Sequence, residues 1–311
     1  METRKLGTSD LTVSVVGLGC NNFGMLPIER SREVVHHALD SGITLFDTAD
    51  IYGNRGGSET QLGAILGPRR KDIVLATKFG MAMDDAGTKV GAAKSYVLKA
   101  CEDSLRRLRT DVIDLYQLHQ PDPKTPIEET LDALNQLVQE GKVRYIGCSN
   151  LPGWQVVEAA WTSRTKGYAS FVSAQDEYSL VMRDIERELI PALKKYAMGL
   201  LPYFPLASGL LTGKYSGGNI PEGTRMALMK RLADRYMTAT NLATVEKLDA
   251  FCKARGRTLL ELAFSWLLMN PVLTSVIAGA TRPEQIDQNI AAAGWKLSAE
   301  ELAEVDRITK R

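Results

Sequence analysis

Four residues of unlike chemistry occupy comparable places in this sequence: Asp47, Tyr52, Lys78 and His119. Each closes, or closely follows, a short apolar and β-branched run. Asp47 ends the run that opens FDTADIYGNRG, with Tyr52 five residues on and a helix expected from near Ser58; Lys78 ends DIVLATK, and His119 ends DVIDLYQLH. Singly, each has an ordinary structural explanation: a loop acid or helix cap, a packed turn aromatic, a solvated strand end, a satisfied core imidazole. Together they make a proton-transfer set. A lysine following VLAT is a rare residue for a buried strand and needs a partner, which Asp47 on an adjacent strand supplies. An ammonium near a phenol favours the phenolate, so Lys78 is expected to draw Tyr52 down from its ordinary pKa of about 10. Tyr52 then reads as a general acid and Lys78 as its tuner.

Such a set works only if its strands end at one mouth. Strand-like runs begin near Val15, Thr44, Ile73, Ile113, Val143, Phe171, Leu200 and Thr274, mostly about 29 residues apart, the length of a strand, a loop and a covering helix. The clearest unit has Thr125 as a cap, Pro126 at the first helical position and Glu128 completing a capping box. Leu131, Leu134, Leu137 and Val138 then form one stripe, and Gly141 stops the helix before the strand Val143–Gly147. Eight such strands close as a parallel (β/α)8 TIM barrel, here with an N-terminal β-hairpin and an additional C-terminal helix opened by Ser298 and Glu301, residues 1–311 forming one barrel domain. An open doubly wound sheet is the alternative, but GLGCNN at 17–22 has Asn22 where a dinucleotide fingerprint needs its third glycine. GLLTGK at 209–214 is one residue too short for a P-loop. A long loop, about residues 205–240, interrupts the last repeat and reads as a lid or binding loop.

Composition narrows the function classes. With 38 Lys+Arg against 37 Asp+Glu, the net charge of +1 argues against a nucleic-acid binder or a polybasic membrane anchor. Hydrophobic residues at 44% and charged residues at 24% are the balance of a globular protein with a substantial core. Leu11 to Cys20 is too interrupted by Thr12 and Ser14 for a signal peptide, and no stretch approaches a membrane span. Four scattered cysteines without a CxxC point to a reducing compartment, the cytoplasm, and only three histidines give no plausible metal site. Cys148 reads as small-residue packing, and His36 and His37 as surface or packing residues of the first helix.

FDTADIYG, ATKFG, LYQLHQPD and GCSN, in this order and spacing, resemble the aldo-keto reductase superfamily over nearly the whole chain. FPLASGLLTGKY and the short C-terminus are most similar to the bacterial branch related to the voltage-gated potassium channel β subunits. The resemblance implies a (β/α)8 barrel that binds NADPH/NADP+ without a Rossmann fold and reduces an aldehyde or ketone to an alcohol. It further implies that Tyr52 protonates the carbonyl oxygen, that Lys78 paired with Asp47 tunes it, and that His119 orients the carbonyl; the hydride comes from the cofactor. Ser149, Asn150 and Gln175 resemble the set that holds the nicotinamide carboxamide, and Tyr203 falls where the family stacks an aromatic, although it also reads as a core residue.

Leu206, Ser208, Gly209, Leu211 and Lys214 resemble a pyrophosphate clasp; without the resemblance they read as a turn. Gly279, Thr281, Arg282, Gln285 and Asn289 match the segment for the adenosine 2′-phosphate and adenine, and the forked cation of Arg282 favours NADPH over NADH. Gln288, where many relatives carry Glu, weakens the adenine contact, and Cys20-Asn21-Asn22 departs from the Thr-Trp of several relatives at the pocket wall. Phe23, Met25, Phe79 and Met81 are further wall candidates. The alternative function is an NADPH-sensing regulatory subunit with little turnover. The expected partner is a small carbonyl compound, with no nucleic acid, membrane or metal; monomer and homo-oligomer both stay open.

Overall fold

In the computed structural model, residues 1–310 are described. A hairpin of β1 (Thr3–Lys5) and β2 (Thr12–Ser14) precedes the eight parallel strands β3 (Val16–Gly19), β4 (Leu45–Asp47), β5 (Val74–Phe79), β6 (Ile113–Leu118), β7 (Val143–Ser149), β8 (Phe171–Glu177), β9 (Gly199–Tyr203) and β10 (Val276–Gly279). Their order is β10-β3-β4-β5-β6-β7-β8-β9. The ring closes where Leu200 N donates to Val272 O at 2.8 Å and Thr274 N to Leu200 O at 2.9 Å. Every barrel strand begins within two residues of the start expected from the sequence, because short β-branched runs buried on both faces carry that signal strongly.

The covering helices are α1 (Ile28–Asp40), α2 (Tyr52–Leu66), α3 (Lys94–Leu108), α4 (Ile127–Gln139), α5 (Gly153–Lys166), α6 (Leu189–Lys195), α7 (Arg225–Leu228), α8 (Lys230–Tyr236), α9 (Ala239–Lys253), α10 (Leu259–Leu268), α11 (Pro283–Ala292) and α12 (Ala299–Thr309). The capping box of Ser298 and Glu301 is present at α12, and a second one, Thr258 with Glu261, opens α10. The box expected at Thr125 is not formed: Pro126 is itself the cap residue, and Thr125 Oγ1 donates instead to Asp122 Oδ2 at 2.8 Å. The nearby carboxylate is a better acceptor for that hydroxyl than a helix that already starts on a proline. None of the described helices is long and apolar enough to cross a membrane.

Alternation along each strand decides what faces the barrel axis. Leu45, Val74, Ala76, Leu115, Val172, Leu201 and Ile277 point inward and pack with Leu6, Leu11 and Val13 of the hairpin, which plugs the N-terminal end. The opposite residues, such as Leu75, Phe79, Tyr116, Leu118 and Cys148, join the larger core between strands and helices. With one end sealed by apolar side chains, the polar inward residues gather at the C-terminal end.

Candidate active site

Inward alternation carries β5 from Val74 through Ala76 to Lys78, and β6 from Leu115 through Gln117 to His119 just beyond its end. Asp47 is the last residue of β4. The structure brings these three side chains to one place, 0%, 3% and 8% exposed for Lys78, Asp47 and His119. Lys78 Nζ donates to Asp47 Oδ2 and to Thr48 O, both at 2.8 Å, and stands 3.4 Å from Tyr52 Oη. Gln175 Nε2 and Gln117 Nε2 donate to the other carboxylate oxygen, Asp47 Oδ1, at 2.9 and 3.3 Å. The His119 ring meets the Tyr52 ring edge to face at 5.7 Å.

Tyr52 is aimed by its turn. Gly53, Asn54, Arg55 and Gly56 all have positive φ, so regular α2 winding begins only after them, close to the expected Ser58. A Cβ on Gly53 would lie 2.3 Å from Phe23 O, so only glycine fits where this turn crosses the β3–α1 loop. The half-buried phenol is thereby held over Lys78.

Burial pushes the Tyr52 phenol above its ordinary value; Lys78 pulls the other way and does not outweigh it. The expected net lowering is therefore not found, because the ring is desolvated and Asp47 adds negative charge nearby. The result is a phenol that keeps its proton at neutral pH. For Lys78, burial works against the charge, but the Asp47 carboxylate and Tyr52 win, and the ammonium is stabilised above its usual range. Burial, with Lys78 adding to it, drives His119 down to about 3, so its imidazole is neutral, and its Nδ1 is buried without a partner. The site thus presents one ammonium, one protonated phenol and one neutral imidazole.

The other candidates lie around this centre. Ser149 ends β7 and Asn150 follows it, locked between neighbours: its Nδ2 donates to His119 O at 2.9 Å and to Ser149 Oγ at 3.0 Å, and its Oδ1 accepts from Tyr203 Oη at 2.7 Å. Ser208, Gly209 and Leu211 lie on one short 3-10 segment after β9 (Ala207–Thr212), with Leu206 just before it and Lys214 just after. Ala207, Ser208 and Gly209 have positive φ in succession, Ser208 Oγ is buried without a partner, and a Cβ on Gly209 would lie 2.9 Å from Lys214 Nζ. Gly279 ends β10; Thr281, Arg282, Gln285 and Asn289 follow into α11, where Gln285 Oε1 accepts from Thr281 N at 2.7 Å. Arg282 is exposed, with only a 3.9 Å contact to Glu284 among the described residues.

Residues 15–310 match the aldo/keto reductase family. The chain belongs to the aldo/keto reductase family. It is 37% identical to an uncharacterized oxidoreductase of Bacillus subtilis, over 97% of this chain and 94% of that protein. It is 35% identical to a probable voltage-gated potassium channel subunit beta of rice (94% and 91%) and 33% identical to the L-glyceraldehyde 3-phosphate reductase of Escherichia coli (99% and 92%). Membership places it among oxidoreductases that act on carbonyl groups.

In this aldo/keto reductase two of the expected wall residues are elsewhere. Phe79 is completely buried against Tyr116, ring centroids 4.8 Å apart, and Phe23 is completely buried in the outer core. Since Lys78 faces inward, its neighbour Phe79 must face out. Met25 is 62% exposed and Met81 is half-buried. Cys148 is completely buried and faces the helices; His37 Nε2 lies 2.7 Å from Asp287 Oδ1 on the barrel flank.

Three features escaped the sequence reading. Gln117 joins Gln175 on Asp47, a role that strand parity with His119 would have flagged. Glu177, at the end of β8, is buried and bonded to Arg235 and Tyr236, which ties the long loop down. Arg225 is half-buried over the Phe204 ring at 5.2 Å, without a carboxylate partner among the described residues, in a loop whose Met- and Arg-rich composition alone gave no ligand.

Proposed function

We propose that this protein reduces an aldehyde or ketone to an alcohol with NADPH, and that Tyr52 gives the proton. The chain Asp47–Lys78–Tyr52 beside a neutral His119 carries this reading: a protonated, precisely aimed phenol backed by a fixed ammonium is a general acid whose conjugate base is stabilised where it forms. When bound, the nicotinamide supplies the hydride that protein side chains cannot. His119, neutral, donates a hydrogen bond to the carbonyl oxygen and so orients it for Tyr52. Asp47 holds Lys78 charged, and Gln117 and Gln175 hold Asp47.

The chain's own residues suit NADPH. Ser208 has a buried hydroxyl in need of a partner, the successive positive-φ residues around Gly209 open the backbone toward an anion, and Lys214 bends over them. Leu206 and Leu211 belong to the same clasp, through their backbone. Arg225, with no ion-pair partner among the described residues, adds a cation near that clasp, and Arg282, held only by a 3.9 Å contact to Glu284 among them, offers its fork to a 2′-phosphate, beside Gly279, Thr281, Gln285 and Asn289. Ser149, Asn150, Gln175 and Tyr203 surround the place for the nicotinamide. The four free, buried cysteines suit the reducing cytoplasm.

The similarity to the rice channel subunit beta favours a second reading, a sensor in which cofactor occupancy is the output. Cofactor oxidation, followed with 4-nitrobenzaldehyde and then a panel of aldehydes and ketones, separates the two. Turnover that requires NADPH supports the reductase; tight NADPH binding with no turnover of any member of the panel replaces it with the sensor.

A further inference from the structure

Apart from Met1 and Met269, the large exposed hydrophobics among the described residues fall into two groups. Met25, Val90, Leu228 and Met229 lie in the segments that follow β3, β5 and β9 at the C-terminal mouth, Leu228 at the end of α7, where a substrate would be covered. Trp154 and Trp161 do not: they stand on the flank, on α5, 60% and 55% exposed. Seven residues apart, they share one helix face and are about 10.5 Å from each other along it. Nothing in the proposed reaction uses them. Two indoles on one exposed face are costly in water and are the residue type that anchors protein interfaces.

The same face carries a receptor as well as the two knobs. Between α5 and α6 runs a shallow groove of about 380 Å³ lined by Trp154, Val157, Ala192 and Tyr196 together with Glu188 and Lys195. The groove is preformed, since the two helices meet at Gly153, where a Cβ would lie 3.0 Å from Glu188 Cβ. Knob and groove are thus separated along one helix by the spacing of the two tryptophans. An antiparallel copy of α5, related by a two-fold axis near Glu158, sets each Trp161 over the other copy's groove at Trp154, and both grooves fill at once. Charge is compatible: Arg164, stacked beside Trp161 at 5.6 Å, travels with the knob and arrives near Glu188 of the receiving groove, a carboxylate whose present ion contact, to Arg187, is an exposed one at 3.6 Å; Lys195 lines the same groove. A surface whose projecting and receiving parts lie on one face, with opposite charges beside them, fits a second copy of itself.

We propose that the α5–α6 face is a two-fold homodimer interface in which Trp161 of each chain seats in the α5–α6 groove of the other. The mouth lies at the barrel's end rather than on this flank, so both sites stay open in the dimer.

The test is sedimentation of the full-length protein from about 1 to about 100 μM, a range that spans an ordinary dimer's dissociation constant. The wild type is expected to sediment as two chains or a multiple of two. Trp161→Ser and Trp154→Ser, both at exposed positions that leave the core intact, are each expected to weaken association by about 30-fold or more while cofactor binding per chain is unchanged. Glu158→Cys is expected to cross-link two chains on mild oxidation, because the four native cysteines are all buried. A wild type of one chain's mass across the range overturns the proposal, and so does an oligomer indifferent to both tryptophan substitutions and to the Glu158→Cys thiol.

Discussion

Lys78 Nζ stands 3.4 Å from Tyr52 Oη while it holds two 2.8 Å bonds, to Asp47 Oδ2 and to the carbonyl of Thr48. An ammonium has three protons, so two fix its direction and the third is left for the phenol. The arrangement couples Lys78 and Asp47 energetically as well as chemically. Lys78→Met leaves the Asp47 carboxylate buried without a cation and is expected to cost about 3–5 kcal/mol of stability. Adding Asp47→Asn should restore part of that loss. Urea denaturation of the wild type, the two single variants and the double variant measures the coupling; strictly additive losses would contradict it.

The pH profile of the reaction follows from which groups titrate. His119 is driven down to about 3 and Tyr52 lies above its ordinary value, so neither changes charge near neutrality. Reduction needs the protonated phenol and should have a kcat/KM flat from about pH 5 to about 9, falling only in more alkaline solution. Alcohol oxidation needs the phenolate and should rise with pH over the same span. A limb near pH 6.5 in the reductive profile, abolished by His119→Ala, would show a histidine that charges in this range.

Asp50 makes a prediction about stability alone. Its carboxyl is buried with no side-chain hydrogen-bond partner among the described residues, and burial, aided by the nearby Glu59 and only partly offset by Arg107 and the Ile51 backbone N–H, raises it to about 8. Between the ordinary carboxylate value and about 8, the folded protein keeps this proton while the unfolded chain releases it, so stability falls as pH rises through that window. His119 has the opposite sign: its stability contribution is complete above about 6.5 and is lost as pH falls toward 3. Asp50→Asn, which cannot ionise, should therefore gain on the wild type by about 2 kcal/mol or more between pH 5 and 8. Denaturant melts at the two pH values decide it; a constant difference would mean that Asp50 is ionised in the folded state.

Arg282 should discriminate between cofactors. It is exposed and among the described residues has only a long contact to Glu284, so its removal costs the fold little. Arg282→Ala is expected to raise KM for NADPH by about 10- to 100-fold and to leave the NADH value within about twofold. Equal losses for both cofactors would remove the 2′-phosphate assignment.

The strands were legible because a barrel writes them as repeated apolar runs, and Asp47, Lys78 and His119 stood at their ends. Other features belong to the third dimension. Thr125 had the spacing of a cap, but the competing Asp122 acceptor is visible only once the loop folds. Phe79 sat beside a site residue in sequence and so faced away from it in space. The sign of the Tyr52 shift depended on how much water the folded mouth excludes, which no motif encodes. Arg225 and Glu177 gain meaning only when the long loop lies over β8 and β9.

The most direct test of the account is Tyr52→Phe, which removes one hydroxyl and keeps the ring against His119. NADPH binding is read by fluorescence quenching, and aldehyde reduction by cofactor oxidation, on the same preparation. The account predicts wild-type affinity for NADPH with turnover lowered by about 100-fold or more. A variant that binds NADPH and still reduces aldehydes near the wild-type rate would show that the proton comes from another group.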